Sequence, residues 1–181
     1  MIFASSKKSV TRHAGFRPQR GFSLVEVLVA VLIMGVGVLG VTGLQMVSLQ
    51  NNRDALLRSE ALQMAYDVMD RMRVNGTGNY SGVAFDDAPV APTDCMNNNC
   101  SAAQMAVFDL SLWKCSLGSH NEETVCTDLR ATDALPAADD QPGLPNGEGE
   151  IAIDGAGFVA VTIQWTGFNG LDEDLTVESQ R

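Results

Sequence analysis

Between Phe22 and Leu49 the chain has no proline and a single charged residue, Glu26. About 20 apolar residues span a bilayer as a helix, so this run is long enough to cross one with residues to spare. Helix formers continue beyond it, and Asn75-Gly76-Thr77-Gly78 supplies the stop. The pattern predicts one helix from Phe22 to about Val74, roughly 80 Å long at 1.5 Å per residue. Its first half is apolar on every side, as expected of a segment surrounded by lipid or by other helices. Its second half is amphipathic. Leu57, Ala61, Met64, Val68 and Met72 recur at spacings of three and four, flanked by Leu62, Ala65 and Met69, while charged residues fill the other positions. That stripe predicts packing on a folded domain, with the methionines as core.

A carboxylate at membrane depth costs a few kcal/mol even on lenient insertion scales. Glu26 is the only charge between Phe22 and Asn52, so it is a candidate functional residue. In front of the run stand Lys7, Lys8, Arg12, Arg17 and Arg20, with no acid among them. The positive-inside rule keeps this leader cytoplasmic and exports the rest. A secretory signal places its small-residue cleavage site after an apolar core of about 7–15 residues, so that the core is lost. Here the small residue, Gly21, precedes a longer core, which would remain on the mature chain.

Gly21-Phe22-Ser23-Leu24-Val25-Glu26-Val27-Leu28-Val29-Ala30 resembles the processing and methylation motif of type IV prepilins. The resemblance implies cleavage by a prepilin peptidase after Gly21, N-methylation of Phe22, and polymerisation governed by Glu26. The chemistry is consistent with that reading. After cleavage Phe22 carries an α-ammonium, which stays protonated when methylated. Positions four apart on a helix share a face, and a carboxylate near a helix N-terminus meets the positive end of the macrodipole. Both charges are expensive in lipid, so each seeks the other, within a chain or between neighbours. Gly35, Gly37, Gly40 and Gly43 lie inside the span without forming a G-x-x-x-G pair. They fit either close helix packing or a segment that loosens on leaving lipid. Helix breakers in this region of pilins favour the second reading slightly.

All 22 acidic residues follow the leader, and five of the 12 basic ones lie within it. The mature chain thus sets seven bases against 22 acids, a formal charge of −15. Such a surface argues against direct nucleic-acid binding, which needs basic patches. Cys95, Cys100, Cys115 and Cys126 form an even set in a chain expected to face an oxidising compartment. Three pairings are possible. Cys95–Cys100 and Cys115–Cys126 are favoured because both loops are short and Ser101 to Lys114 between them reads as a helix. Spacings match no common zinc finger, and His120, the one histidine of the mature chain, has no suitable partner nearby; neither a metal nor a cofactor is expected. Ser101 is a plausible N-cap for a helix through Trp113, with Met105, Phe108 and Leu112 on one face. Ser116 to Gly147 reads as loop, with Pro136, Pro142, Pro145 and the acidic pair Asp139-Asp140. Three antiparallel strands follow, with Ile151 and Ile153, then Val159, Val161, Ile163 and Trp165, then Leu175 and Val177 on the apolar face. Asp154-Gly155-Ala156-Gly157 and Gly167-Phe168-Asn169-Gly170 are the turns.

Looser patterns resemble PilV-type minor pilins: Asp67-Val68-Met69-Asp70-Arg71-Met72-Arg73-Val74-Asn75, Cys100 followed by Met105-Ala106, Asp109 and Trp113, then Leu144-Pro145-Asn146-Gly147 and Val161-Thr162-Ile163-Gln164-Trp165. The Cys115–Cys126 segment stands outside that pattern. The fold expected is α+β and type IV pilin-like, a long N-terminal helix packed on a small antiparallel sheet. Residues 1–21 are the leader, 22–50 the membrane and filament-core helix, and 51–181 the periplasmic domain. The resemblance implies a non-enzymatic minor pilin that helps start assembly and supports twitching motility and attachment. Its partners would be the prepilin peptidase, other minor and major pilins, the assembly machinery, a tip protein and the inner membrane. Two rivals are a minor pseudopilin of type II secretion and a tip adhesin, for which Tyr80, Phe85 and Phe168 are the loop aromatics available. Asp70, Arg71 and Arg73 read as charge pairs closing a helix, with docking to a neighbouring pilin the alternative.

Overall fold

The computed structural model describes residues 21–180, so the leader bases lie outside it. Its elements are α1 (Leu24–Val74), α2 (Ala102–Leu117), α3 (Thr124–Ala131), β1 (Glu148–Ile153), β2 (Phe158–Thr166) and β3 (Asp172–Gln180). The chain divides into two compact units, one ending at Gln45 and one running from Met46.

In the first unit α1 begins at Leu24, two residues later than the sequence predicts. The carbonyl of Ser23 accepts from the N–H groups of Glu26 (3.0 Å) and Val27 (3.3 Å), so Ser23 opens the helix. Every residue from Gly21 to Gln45 is exposed. The helix runs unbroken through Gly35, Gly37, Gly40 and Gly43.

The second unit holds the core. Along α1 it buries Ala61, Met64, Ala65, Val68, Met69 and Met72, the predicted stripe, with Leu57 packed at its margin. The unbranched thioethers fill irregular gaps between the elements. They share one cluster with Trp113 and Leu117 of α2 and with Val159, Val161, Ile163 and Trp165 of β2. The sheet is antiparallel in the order β1-β2-β3. Val161 of β2 stands opposite Ile151 of β1 and Val177 of β3. Period-two alternation therefore places one face of the sheet on the α1 stripe and leaves the other wet. On the wet face the hydroxyls of Thr162 and Thr176 meet at 3.0 Å.

Ser101 caps α2 through a reciprocal pair: its hydroxyl accepts from the Gln104 N–H at 3.3 Å, and the Gln104 side chain accepts from the Ser101 N–H at 2.9 Å. The helix then extends to Leu117, past the predicted end. The Trp113 indole donates to the Met64 carbonyl at 3.1 Å, strapping α2 to α1. The expected loop from Ser116 to Gly147 is corrected in part, because Thr124–Ala131 forms α3. Eight residues carry too few turns for a hydrophobic period to show. Tertiary bonds hold them instead: the Cys115–Cys126 disulfide, and Arg130, whose Nη2 donates to the Cys115 carbonyl (3.1 Å) and to Asn121 Oδ1 (2.6 Å). Phe108, Leu112 and Leu129 pack with this disulfide as a second small cluster.

Two glycines allow the strand β1 to enter beneath α2. A Cβ at Gly147 would collide with the carbonyl oxygen of Leu117, and one at Gly149 would lie 2.5 Å from the Trp113 ring. Gly147→Ala forces backbone to move and is expected to destabilise the folded unit by about 1–3 kcal/mol. Gly155→Ala, whose Cβ would meet open space, is expected to stay within about 0.5 kcal/mol of wild type. Urea denaturation of the two variants checks the contrast.

Candidate functional site

The N-terminal site is built by the start of α1. Gly21, Phe22 and Ser23 are non-helical, and Phe22 is 82% exposed, so the Gly21–Phe22 peptide bond is sterically open. Glu26 is the third residue of the helix and the acid of its first turn. There the unpaired N–H groups and the macrodipole favour a carboxylate. Around it Leu24, Val25, Val27, Leu28 and Val29 are exposed apolar side chains. Glu26 makes no ion pair among the described residues, so the arrangement presents one carboxylate in an apolar surround, within about a helical turn of Phe22.

A second polar cluster lies in the folded unit, where the C-terminal part of α1 meets α2. Asp109 is 6% exposed. Its Oδ2 accepts from the Tyr80 hydroxyl at 2.6 Å, and its Oδ1 accepts from Arg71 Nη1 at 3.2 Å. Arg71 also donates through Nε to Asp67 at 2.9 Å, one helical turn earlier. Burial works against the Arg71 charge, but the hydrogen bonds and charges of Asp67 and Asp109 outweigh it and hold the guanidinium more firmly protonated than usual. Asn75 completes the joint, its side-chain amide donating to the Tyr80 hydroxyl (3.0 Å) and the Ala102 carbonyl (2.8 Å). Tyr80 is therefore core, fully buried, and the sequence reading of it as an available loop aromatic is corrected. Phe168 is half exposed, with Arg53 5.3 Å from its ring centroid. Sequence reasoning found the Asp70–Arg73 pair, which forms at 2.8 Å. It missed Asp109 as the partner of Arg71 because no periodicity links residues 38 positions apart.

Cys95 is bonded to Cys100 and Cys115 to Cys126. Asp94 steadies the first of these loops by accepting from the Asn97 side chain (2.9 Å) and the Met96 N–H (3.0 Å). The Asn97 contact, with these backbone bonds, holds its carboxyl below the usual range. His120 lies 2.7 Å from Glu123 through Nδ1. Among the described residues no group of three His, Cys, Asp or Glu side chains is placed to hold a metal.

Lys114 is a further residue the sequence did not single out. It is 2% exposed, and its ammonium donates to the carbonyls of Ala84 (2.5 Å) and Phe85 (3.1 Å), anchoring the loop before the first disulfide to α2. Burial lowers its pKa, and the nearby charges of Asp87, Glu148, Asp86 and Glu150 offset that only in part.

A family model for the prokaryotic N-terminal methylation motif matches residues 16–42, and one described as type IV pilin Tt1218 matches residues 43–111. The two matches abut and together cover more than half of the chain. No curated protein and no solved structure matches it.

Because Lys114 loses its proton more readily folded than unfolded, the unfolded chain binds more protons over the window below the ordinary lysine value of 10.5. Stability is expected to rise with pH across that window. Lys114→Met should flatten the rise, as read from urea midpoints taken between about neutral pH and about pH 10. Asp109→Ala leaves Arg71 with Asp67 alone and removes the acceptor of the Tyr80 hydroxyl's proton, and should cost about 1–3 kcal/mol, against about 1 kcal/mol for Tyr80→Phe.

Proposed function

Because this chain belongs to the type IV pilin family, we propose that it is a minor pilin of the PilV type, cut after Gly21, methylated at Phe22 and entering the pilus through Glu26. Membership of the family supports a structural role as a pilin. The observation that carries the finer reading is the position of Glu26: a solitary carboxylate in the first turn of a helix exposed along its whole apolar length.

Cleavage leaves an α-ammonium on Phe22, and methylation keeps it basic. In lipid or in a filament core neither that cation nor the Glu26 carboxylate is well solvated, and an unpaired charge there costs several kcal/mol. Pairing Glu26 of an entering subunit with the ammonium of its neighbour removes both penalties at one axial register. A subunit set one helical turn out of place leaves both charges unpaired, so the same interaction selects position as well as partner. Before assembly the apolar part of α1 holds the chain in the inner membrane with its body in the periplasm.

The assignment to the minor class is supported by how the looser sequence patterns gather in space. Arg71 bridges Asp67 and Asp109, Trp113 reaches Met64, and the Pro145 carbonyl accepts from the Thr166 N–H at 2.8 Å. These residues act together to fasten α1, α2 and the sheet, as a shared subfamily pattern requires. A low-copy subunit that helps start the filament with other minor and major pilins supports motility and attachment indirectly.

Mass spectrometry of sheared surface fibres tests the reading. It is expected to find chains beginning at N-methyl-Phe22. Glu26→Ala should still be cleaved, yet its amount in fibres should fall at least tenfold. Fibre-borne chains that retain Met1 would overturn the proposal. Loss of protein secretion with intact pili in a disrupted strain would move the assignment to a pseudopilin.

A further inference from the structure

The sheet ends on β3, and the outward edge of that strand is open. Its hydrogen-bonding parity follows from the turn that precedes it. The Gly167 N–H donates to the Leu171 carbonyl at 2.8 Å, so Gly167 and Leu171 form a hydrogen-bonded pair and Thr166–Asp172 a non-hydrogen-bonded one. Counting along the register, Glu173, Leu175, Val177 and Ser179 turn their backbone groups toward β2. Asp172, Asp174, Thr176, Glu178 and Gln180 turn theirs away. The other hairpin agrees: the Asp154 N–H donates to the Phe158 carbonyl, which directs Ala160, Thr162 and Gln164 to β1 and leaves the alternate residues of β2 for β3. No backbone group outside the β2 ladder bonds to β3 among the described residues. At the opposite edge of the sheet, β1 is met by Val83, whose carbonyl accepts from the Ile151 N–H at 2.9 Å.

The side chains of those same outward residues are all exposed, and three of them are acids. Asp174 and Glu178 make no ion pair or hydrogen bond among the described residues, while Asp172 accepts only from the Thr166 hydroxyl at 3.3 Å. Charge decides what this edge accepts. A second copy pairing antiparallel about Thr176 sets Asp174 opposite Glu178 twice, and a parallel in-register copy sets each acid beside itself; like charges facing across strands are destabilising. Charged side chains on an edge are a recognised defence against such self-association. The defence is selective, because an incoming strand with Lys or Arg at alternate positions turns each repulsion into an attraction.

We propose that β3 is a strand-addition site, on which a basic, extended segment of a partner protein continues the sheet. Main-chain bonds to Asp174, Thr176 and Glu178 supply affinity, and pairing with the acids supplies specificity. The inference rests on the folded unit alone and stands whether or not Glu26 governs assembly.

The full-length chain in detergent micelles, mixed with an acetylated Lys-Val-Lys-Val-Lys-Val-Lys peptide, tests it by amide hydrogen exchange. Binding is expected to slow exchange at Asp174, Thr176 and Glu178 at least tenfold, with little change at Leu175 and Val177, which are already bonded to β2. A peptide of the same sequence N-methylated at alternate residues keeps the charge but loses donors along one edge, and should protect these amides far less. Thr176→Pro removes an outward N–H together with the hydroxyl contact to Thr162 and should weaken binding at least tenfold, while Thr176→Val, which loses the hydroxyl but keeps the N–H, should bind the peptide as wild type does. Equal protection by both peptides would mean attraction by charge without strand addition and would overturn the proposal. So would the absence of protection, or stronger pairing between copies of the chain than with the basic peptide.

Discussion

One helix has to satisfy two surroundings, and the sequence of α1 is arranged around that demand. Up to Gln45 its residues are apolar on all sides and exposed. From Ala61 to Met72 it buries a single stripe of six side chains. Each buried side chain of that size contributes on the order of 1.5–3 kcal/mol relative to exposure, alanine less. The stripe is therefore comparable to the whole net stability of a small domain, about 5–15 kcal/mol. The stripe shares the cover of the sheet's inner face with Trp113 and Leu117 of α2. Without α1 the sheet would lose the stripe's cover over Val159, Val161, Ile163 and Trp165, which are at most 3% accessible in the folded unit. The folded body is consequently inseparable from the helix that tethers it.

Polar interactions add direction to this packing. Apolar contact between a helix and a sheet tolerates sliding, since one methyl group replaces another at little cost. The Asp109 cluster does not, because Tyr80, Arg71 and Asn75 each need a partner at one place. A one-residue slip of α1 would leave a nearly buried carboxylate without its guanidinium, at a cost of several kcal/mol. The bond from Trp113 to the Met64 carbonyl fixes the same register three turns of α2 away from the cap at Ser101. Lys114 and Arg130 do similar work beside the two disulfides, Lys114 donating to the Ala84 and Phe85 carbonyls and Arg130 to the Cys115 carbonyl.

How much of this was legible follows the range of each signal. Periodic signals were readable: the α1 stripe and the alternation of the three strands each repeat over several residues, and with Ser101 as the expected N-cap of α2 these elements lie within a few residues of where their patterns predict. The methylation motif was readable because its residues are adjacent in sequence. What escaped was non-local. Arg71 looked like one more charge at a helix end, because nothing in the chain announces that Asp109 folds back against it. Tyr80, next to a glycine-rich turn, carried the composition of a loop while its ring filled the core. Helix α3 escaped for a related reason, since its stability comes from a disulfide and an arginine clamp rather than from its own pattern.

The distribution of charge has a cause of the same kind. Arg71 and Arg73 bind acids on α1 and α2, Lys114 and Arg130 bind backbone carbonyls, and Arg53 lies over Phe168. Most of the few bases available after the leader are thus committed to holding the chain together. Acids so outnumber bases that most of them have no internal cation to meet, and they coat the surface instead. Copies of this chain carry the same acidic coat, and it sets them against one another at every face where acids are unpaired. Association between copies is then favoured only where other forces exceed that repulsion, above all along the apolar helix, whereas a basic partner meets attraction over the whole body.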